Sequence, residues 1–357
     1  MNKSASLYLD FLRVVAAFGV LMVHAGLPWF SNGLFLSEKY GHKFVMIFFV
    51  LSGYLIAFTV KEKNKGARRY IIDRVSRLYS VVWPALLLTF ILDSLGNHFN
   101  PAYYVIQITH DHLLFRYLVN GFFLGQIWAL CTKPSSNGPF WSICYEFWYY
   151  MLFAAYCYLD GKKRYIAIAA ICLLVGYKIL ILLPVWVYGV WAYNLSKRVE
   201  INKTIARILF FSSASMLIIL TFVWDFSILS SSFDPRPPFY FSSQFGFDWI
   251  YGGIVAINLF SMSFMDSKLI LPVFVSNGIK YLSSITFSLY LFHLPMLVLL
   301  GALVPFDRSS YWQILLLLGG IIMIAALLAE ITEKQRNYWK SLIGHLVSLF
   351  QKKPTQV

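Results

Sequence analysis

Long apolar runs separated by short polar breaks account for most of the chain. Runs that could cross a bilayer lie at about 8–29, 43–61, 78–95, 141–159, 164–182, 183–195, 206–224, 247–264, 279–302 and 312–331. Since roughly 20 apolar residues in a helix cross the hydrocarbon core, the pattern predicts an all-α, polytopic transmembrane helical bundle of about ten spans. The run at 183–195 is short and follows its predecessor across Leu183-Pro184, so this pair could also be one broken or re-entrant feature.

A moderately apolar stretch between the third and fourth spans has a different character. It reads LVNGFFLGQIWAL, lies within residues 96–140 and contains Gly121 and Gly125. We predict an interfacial or re-entrant piece here rather than a full span. The predicted organisation is one transmembrane domain over residues 1–335, whose first span is retained rather than cleaved. A short basic cytoplasmic tail follows over 336–357.

The composition agrees with a membrane protein and excludes an ordinary soluble domain. Hydrophobic residues make up 59% of the chain and charged residues 13%, against about a quarter charged in soluble domains. The net charge of +14 does not indicate nucleic acid, because the basic residues fall in short clusters between apolar runs. Most clusters lie on the side of the N-terminus, as the positive-inside rule requires. Both termini are therefore predicted to be cytoplasmic, with the spans in the cytoplasmic (inner or plasma) membrane.

The cysteines do not add a function to this picture. The chain has four, none of them in a CxxC pair and most of them within apolar runs: Cys131, Cys144, Cys157 and Cys172. This pattern indicates neither a disulfide framework nor a metal site, and we expect no metal.

Ionisable side chains inside the first span are the strongest functional signal. Ten residues separate Arg13 from His24, which corresponds to about 16 Å along a helix. Charged groups inside a membrane are costly and usually face a bundle interior or a watery cavity. The first span therefore marks two levels of the membrane, and Asp10 could hold Arg13 in place.

Arginines are predicted to gather at the inner level. Arg74 and Arg77 open the predicted third span at i, i+3 spacing, so both guanidinium groups share one helix face. With Arg13 they would form an anion or phosphate site, because guanidinium groups bind phosphate oxygens in a bidentate way. A basic pair at this position could also be only a cytoplasmic anchor.

At the outer level, we predict that His24, Glu146 and His293 lie at one depth, with Ser52 near the midplane. A carboxylate that orients a neutral imidazole is a general-base arrangement, which suits proton removal from an attacking hydroxyl. A helix-to-helix hydrogen bond is the simpler alternative for each histidine. The aromatic residues from 141 to 150, Trp141 among them, could form an interface belt. Together the two levels suggest acyl transfer across a bilayer.

Five motifs, spread over almost the whole chain, resemble the membrane-bound acyltransferase-3 family. They are Arg13 and His24 with ten residues between them, FFVLSGYLI at 48–56, RVSRLY at 74–79, FWSICYEFWYY at 140–150 and TFSLYLFHLP at 286–295. Phe147 stands where the family often has a second acid. Ser80 follows Tyr79, and the nearest proline is Pro84, so the usual proline after the arginine motif is displaced. The resemblance is to a stand-alone member without a C-terminal SGNH-type esterase domain.

The resemblance implies an O-acyltransferase that moves an acyl group, usually acetyl from acetyl-CoA, to a hydroxyl of a cell-surface or exported carbohydrate. Arg13, Arg74 and Arg77 would bind the acyl-CoA donor, and His24 with Glu146 would be catalytic. Transfer could be direct or pass through a covalent acyl-histidine. Residues expected to support the site are Asp10, Ser52, Trp141, Tyr290 and His293.

A transporter is the alternative from a different class. Buried His and Glu side chains could relay protons for a lipid-linked sugar or an organic acid. Such proteins are often built from two similar halves around a midplane site, and the sequence contains no matching halves.

Overall fold

A computed structural model describes residues 3–63, 66–223, 237–265 and 271–350, and these residues contain helices and loops but no strand. The helices are α1 Lys3–Ala25, α2 Pro28–Ser31, α3 Gly41–Lys63, α4 Gly66–Phe99, α5 Pro101–Gln107, α6 Leu113–Gly121, α7 Trp141–Tyr158, α8 Gly161–Val175, α9 Tyr177–Ser196, α10 Lys203–Ile218, α11 Phe245–Met262, α12 Val273–Ser284, α13 Thr286–Leu303, α14 Tyr311–Ile331 and α15 Arg336–Phe350. Short 3₁₀ turns precede α3, α7, α11 and α15, and a π-turn at Ile219–Val223 extends α10.

The predicted polytopic bundle is confirmed. Within the described ranges, eight helical stretches are long and apolar enough to cross a membrane, and they contain α1, α3, α4, α9, α10, α11, α13 and α14. Helices α7 and α8, of 18 and 15 residues, occupy the other two predicted positions. The last residues of the predicted tail, 351–357, lie outside the described residues.

The predicted break at Leu183-Pro184 is wrong, since α9 continues through it as one helix of 20 residues. The chain breaks instead at Gly176, whose φ of 78° is one that residues with a Cβ rarely adopt. Trp128 packs there, and a Cβ on Gly176 would lie 2.8 Å from its ring. Trp128 also donates its backbone N–H to Val175 and its indole N–H to Leu173, which satisfies carbonyls at the end of α8.

Two other predicted span boundaries differ from the structure. The run at 279–302 is divided at Ile285 between α12 and α13. Hydroxyl groups near this point make local bonds that compete with helix continuation, such as Thr286 Oγ1 to the Ser283 carbonyl at 2.9 Å. Helix α4 begins at Gly66 rather than near residue 78, so Arg74 and Arg77 lie inside a helix of 34 residues.

As predicted, the stretch between α4 and α7 does not form a full span. It forms α5, α6 and a loop that folds into the bundle. Asn137 in this loop donates its side-chain amide to the carbonyl of Leu291, in the middle of α13, at 2.8 Å, and to Thr89 of α4 at 3.1 Å. Helix α7, which starts at Trp141, therefore begins well below the outer end of the bundle.

Close packing around α3 holds the centre of the molecule. Gly53 of α3 and Gly189 of α9 lie where the helices cross. An added Cβ would come within 2.0 Å of the Trp186 carbonyl oxygen at Gly53 and within 1.9 Å of the Val50 carbonyl oxygen at Gly189. Because neither position has a side chain, the backbones of α3 and α9 are in direct contact. This contact fixes the position of α3, which contributes residues to the site.

The segment predicted as a tail is helical as far as Phe350. Helix α15 packs against the N-terminal half of α4, and Lys340 lies 2.6 Å from Asp73. Asp73 precedes Arg74, which shares a cavity with Arg13 of α1. The described ends of the chain therefore lie at the same end of the bundle, in agreement with an even number of spans. The side of the membrane they occupy stays a prediction.

Candidate active site

Arginines from two helices converge on one cavity of about 70 Å³, which we call the inner cavity. Arg13 of α1 and Arg74 and Arg77 of α4 line it together with Ser52 and Glu146. Arg74 is only 7% exposed, and its Nε has no hydrogen-bond partner among the described residues. A buried guanidinium with unused donor capacity suits an anionic ligand. The three arginines predicted to meet do so in the structure.

Carboxylates outside the cavity lining balance part of this positive charge. Asp10 lies 3.7 Å from Arg13 and accepts a hydrogen bond from Ser283 of α12 at 2.9 Å. It thus occupies the place beside Arg13 that the sequence suggested.

Glu333, which sequence reasoning missed, accepts hydrogen bonds from the backbone N–H and the hydroxyl of Ser288 at 3.2 and 3.1 Å. It interacts electrostatically with Arg77 and Arg13. In the sequence it stands in the charged stretch after the last span, where acidic side chains are usually solvated.

The predicted pairing of Glu146 with His24 is wrong. Glu146 accepts hydrogen bonds from Ser52 at 2.6 Å and from Tyr150, on the wall of the inner cavity. Trp186 donates to the Ser52 oxygen at 3.2 Å, which fixes the serine hydroxyl. The depth estimate failed because α7 begins inside the bundle, so Glu146 lies at the level of the arginines.

A second cavity of about 310 Å³, the outer cavity, lies toward the other ends of α1 and α3. His24, His42, Trp29, Trp141 and Lys133 are among its lining residues. Burial lowers the pKa of Lys133, which lies in the loop before α7. Trp141 is 6% exposed and stacks on Phe241 with ring centroids 4.6 Å apart. It is therefore a wall of this cavity rather than part of an aromatic belt at the membrane interface.

The partner of His24 is His293. His293 Nδ1 lies 3.0 Å from the Leu289 carbonyl, so this nitrogen carries a proton and Nε2 is an acceptor. His293 Nε2 lies 3.0 Å from His24 Nδ1, which also lies 3.0 Å from the Val20 carbonyl. The arrangement is consistent only if His24 Nδ1 carries a proton and donates it. The lone pair of neutral His24 is then on Nε2, on a side chain that lines the outer cavity.

A contact between His42 and Asp248 was not foreseen from the sequence. His42 Nε2 lies 2.9 Å from Asp248 Oδ2, and both residues are buried. The imidazole stacks on Trp141 with centroids 5.5 Å apart and an interplanar angle of 9°. The pair joins α3 to α11, and through the stacked imidazole it positions Trp141 in the lining of the outer cavity. Its members are 206 residues apart in the sequence, so spacing gave no signal.

Tyr290 lies between the two cavities. Of the described residues, it is the one that lines both of them. His24 and His293 thus meet next to one cavity and the arginines with Glu146 next to the other, and α13 contributes to both.

Fold and site together define a class: a multi-pass integral membrane protein with a basic cavity and a histidine cavity inside one helical bundle. Comparison with known sequences supplies the family. The family model described as an acyltransferase domain matches residues 6–331. The chain belongs to the membrane-bound acyltransferase-3 family.

Two curated relatives illustrate the similarity. The chain is 27% identical to an O-acetyl transferase of Shigella phage Sf6 over 198 residues, which is 50% of this chain and 57% of the relative. It is 23% identical to the peptidoglycan O-acetyltransferase OatA of Listeria monocytogenes over 393 aligned positions, 97% of this chain and 59% of the relative. The chain thus spans less than two thirds of the length of both. No solved structure shows significant similarity.

Proposed function

We propose that this protein is an O-acetyltransferase that takes the acetyl group from cytoplasmic acetyl-CoA and transfers it to a hydroxyl of a carbohydrate on the outer side of the cytoplasmic membrane. The observation that carries the proposal is the arrangement of two cavities in one bundle, one lined by Arg13, Arg74 and Arg77 and the other by His24. A donor with an anionic head and a reactive end suits such a pair of sites.

The inner cavity would hold the phosphate end of the donor. Guanidinium groups bind phosphate oxygens through parallel N–H bonds and stay charged when buried. Arg74 has the unused Nε, and Arg13 and Arg77 are backed by Asp10 and Glu333. These carboxylates offset part of the positive charge of the two guanidinium groups, and neither carboxylate lines the cavity. The positions of the basic loops support a cytoplasmic location for this end of the bundle, where CoA is made.

The outer cavity would hold the acceptor hydroxyl near His24 Nε2. In direct transfer, this nitrogen removes the hydroxyl proton as the acceptor oxygen attacks the acyl carbon. The bond between that carbon and the CoA sulfur breaks, and the proton passes from His24 to the sulfur. In the covalent route, Nε2 itself first attacks the acyl carbon and the CoA sulfur leaves as the thiolate. The acceptor oxygen then displaces the imidazole from the acyl carbon, and the hydroxyl proton passes to the thiolate. Both routes use the same nitrogen, while His293 and the Val20 carbonyl keep the other one protonated.

The names of the relatives support acetyl as the transferred group. Both are O-acetyltransferases, and one is named for a peptidoglycan, a carbohydrate polymer of the cell envelope. We extend to this chain only the acceptor class, a carbohydrate outside the membrane.

The test is mass analysis of surface glycan from cells that lack the gene and are complemented with native protein or with His24→Asn. Glycan acetylation restored by the native protein and absent with the variant, at matched membrane levels, is the expected result. Unchanged acetylation with His24→Asn would refute the assignment of His24. Solute transport by purified protein in vesicles without acyl-CoA would favour the transporter alternative.

A further inference from the structure

Tyr290 forms the partition between the inner and outer cavities. It is the one described residue that lines both, and it is 5% exposed. The inner cavity contains Arg13, whose side chain is 23% exposed. The outer cavity contains Glu38, which is exposed. Each cavity thus has a lining residue with accessible surface.

Two hydrogen bonds hold the tyrosine in this position. Its hydroxyl donates to the carbonyl oxygen of Pro139 at 3.0 Å, and the Ser142 hydroxyl lies 2.8 Å from the tyrosine oxygen. Pro139 lines the outer cavity and Ser142 the inner one. The phenol is therefore attached to the start of α7 at the point where the two cavities come closest.

The ring also has defined neighbours. Phe48 packs against it with centroids 5.7 Å apart, and His293 lies one helical turn further along the same face of α13, at 6.2 Å. Rotation of Tyr290 would thus open a path beside the pair of His293 and His24. An acyl group held on the inner side has to pass this position to reach His24.

We propose that Tyr290 is a specificity-determining residue that decides whether the acyl group is transferred or hydrolysed. The proposal rests on the proposed function. The closed ring separates the thioester from water in the outer cavity, and it moves aside when the acceptor hydroxyl is in place. If the partition is lost, water attacks the acyl carbon, the bond to the CoA sulfur breaks, and the products are acetate and the CoA thiol that receives the proton from water.

The first experiment compares hydrolysis with transfer. Purified protein in lipid nanodiscs is given radiolabelled acetyl-CoA with and without the acceptor glycan. For Tyr290→Ala we expect the ratio of released acetate to acetylated glycan to rise at least about tenfold, since removal of the ring leaves water as a competing nucleophile. Tyr290→Phe keeps the ring and loses the hydroxyl bonds, so its ratio should lie between those of the native protein and the alanine variant.

Matched controls separate the partition from general loosening. Phe287 lines only the inner cavity and Leu294 only the outer one. Phe287→Ala and Leu294→Ala remove similar volume without joining the cavities, so neither should raise the ratio. An equal rise in these variants would show that any enlargement promotes hydrolysis and would overturn the role of Tyr290.

A second readout does not depend on acyl transfer. Liposomes loaded with a chloride-sensitive dye test whether a water path crosses the protein. The native protein should be sealed and Tyr290→Ala should leak chloride. Ser142→Ala removes one of the two hydrogen bonds that hold the phenol and should leak less than Tyr290→Ala. If the native protein shows no acetyl-CoA chemistry, the proposed function fails and the leak alone decides on the partition. A sealed Tyr290→Ala protein, or an unchanged ratio in an active one, overturns the proposal.

Discussion

His293 Nε2 lies 3.0 Å from His24 Nδ1, and the bond of His293 Nδ1 to the Leu289 carbonyl makes His293 the acceptor of that contact. The backbone of α13, acting through His293, and the Val20 carbonyl of α1 thereby both keep the proton of His24 on Nδ1. The free lone pair of His24 is on Nε2, as a general base or a nucleophile requires.

Replacement of His293 tests this relay. In His293→Leu, His24 Nδ1 keeps only the Val20 carbonyl as its acceptor and the imidazole loses the contact that holds its orientation from α13, so kcat should fall about tenfold, the scale of one lost hydrogen bond. KM for acyl-CoA should change little, because His293 does not line the inner cavity. His293→Gln offers a carbonyl oxygen and should recover part of the rate. Equal losses in both variants would mean that His293 only fills space.

Replacement of Arg74 tests the donor site. Arg74→Ala should raise KM for acyl-CoA at least about tenfold, the scale of one lost charge-assisted hydrogen bond. Arg74→Lys should recover little, since an ammonium cannot form the bidentate contact. The control is Arg69→Ala, an exposed arginine on the same helix that does not line the inner cavity. If Arg69→Ala raises KM as much as Arg74→Ala does, the increase comes from the loss of positive surface charge in general and not from a donor site at Arg74.

Glu333 should act on donor binding through Arg77. Glu333→Gln removes the charge that faces Arg77 but keeps a group that can accept from Ser288. We expect KM for acyl-CoA to change by several-fold with the thermal midpoint nearly unchanged, as measured in parallel. Glu330→Gln is the matched control, because Glu330 is 50% exposed and pairs with Lys334 outside the site. An effect of Glu330→Gln equal to that of Glu333→Gln would contradict the assignment.

The crossing of α3 and α9 should tolerate no side chain at Gly189. Gly189→Ala brings a Cβ within 1.9 Å of the Val50 carbonyl oxygen, and overpacking of this kind costs about 1–3 kcal/mol. A lower thermal midpoint in detergent is the expected result. Gly320→Ala in α14, where nothing lies within 4 Å of the added Cβ, should leave the midpoint unchanged or raise it. A Gly189→Ala protein as stable as the native one would refute the close crossing.

Much of the bundle and part of the site could be predicted from the sequence. Apolar runs of sufficient length located the spans, and the i, i+3 spacing of Arg74 and Arg77 placed both on the face that meets Arg13. The level shared by His24 and His293 was also correct. These features depend on local periodicity and on depth within regular helices, which a sequence contains directly.

Features that depend on how loops and distant helices pack were not predicted. Depth counting put Glu146 beside His24 because it assumed that α7 starts at the membrane surface, whereas Asn137 holds the preceding loop inside the bundle. The sequence analysis placed a helix break at Pro184, whereas the helix breaks at Gly176. The prediction failed because a transmembrane helix can accommodate an internal proline. The partners His42 and Asp248 are joined only by the packing of α3 on α11.

Acetyl-CoA binding and turnover by the His24→Asn protein in nanodiscs test the account most directly. The proposed function gives donor binding to the arginines and chemistry to His24. We therefore predict that His24→Asn binds acetyl-CoA with a Kd within about twofold of the native value, whereas acetyl transfer falls by at least about 100-fold. Transfer at the native rate, or loss of acetyl-CoA binding together with transfer in a folded variant, would contradict the separation of the two sites.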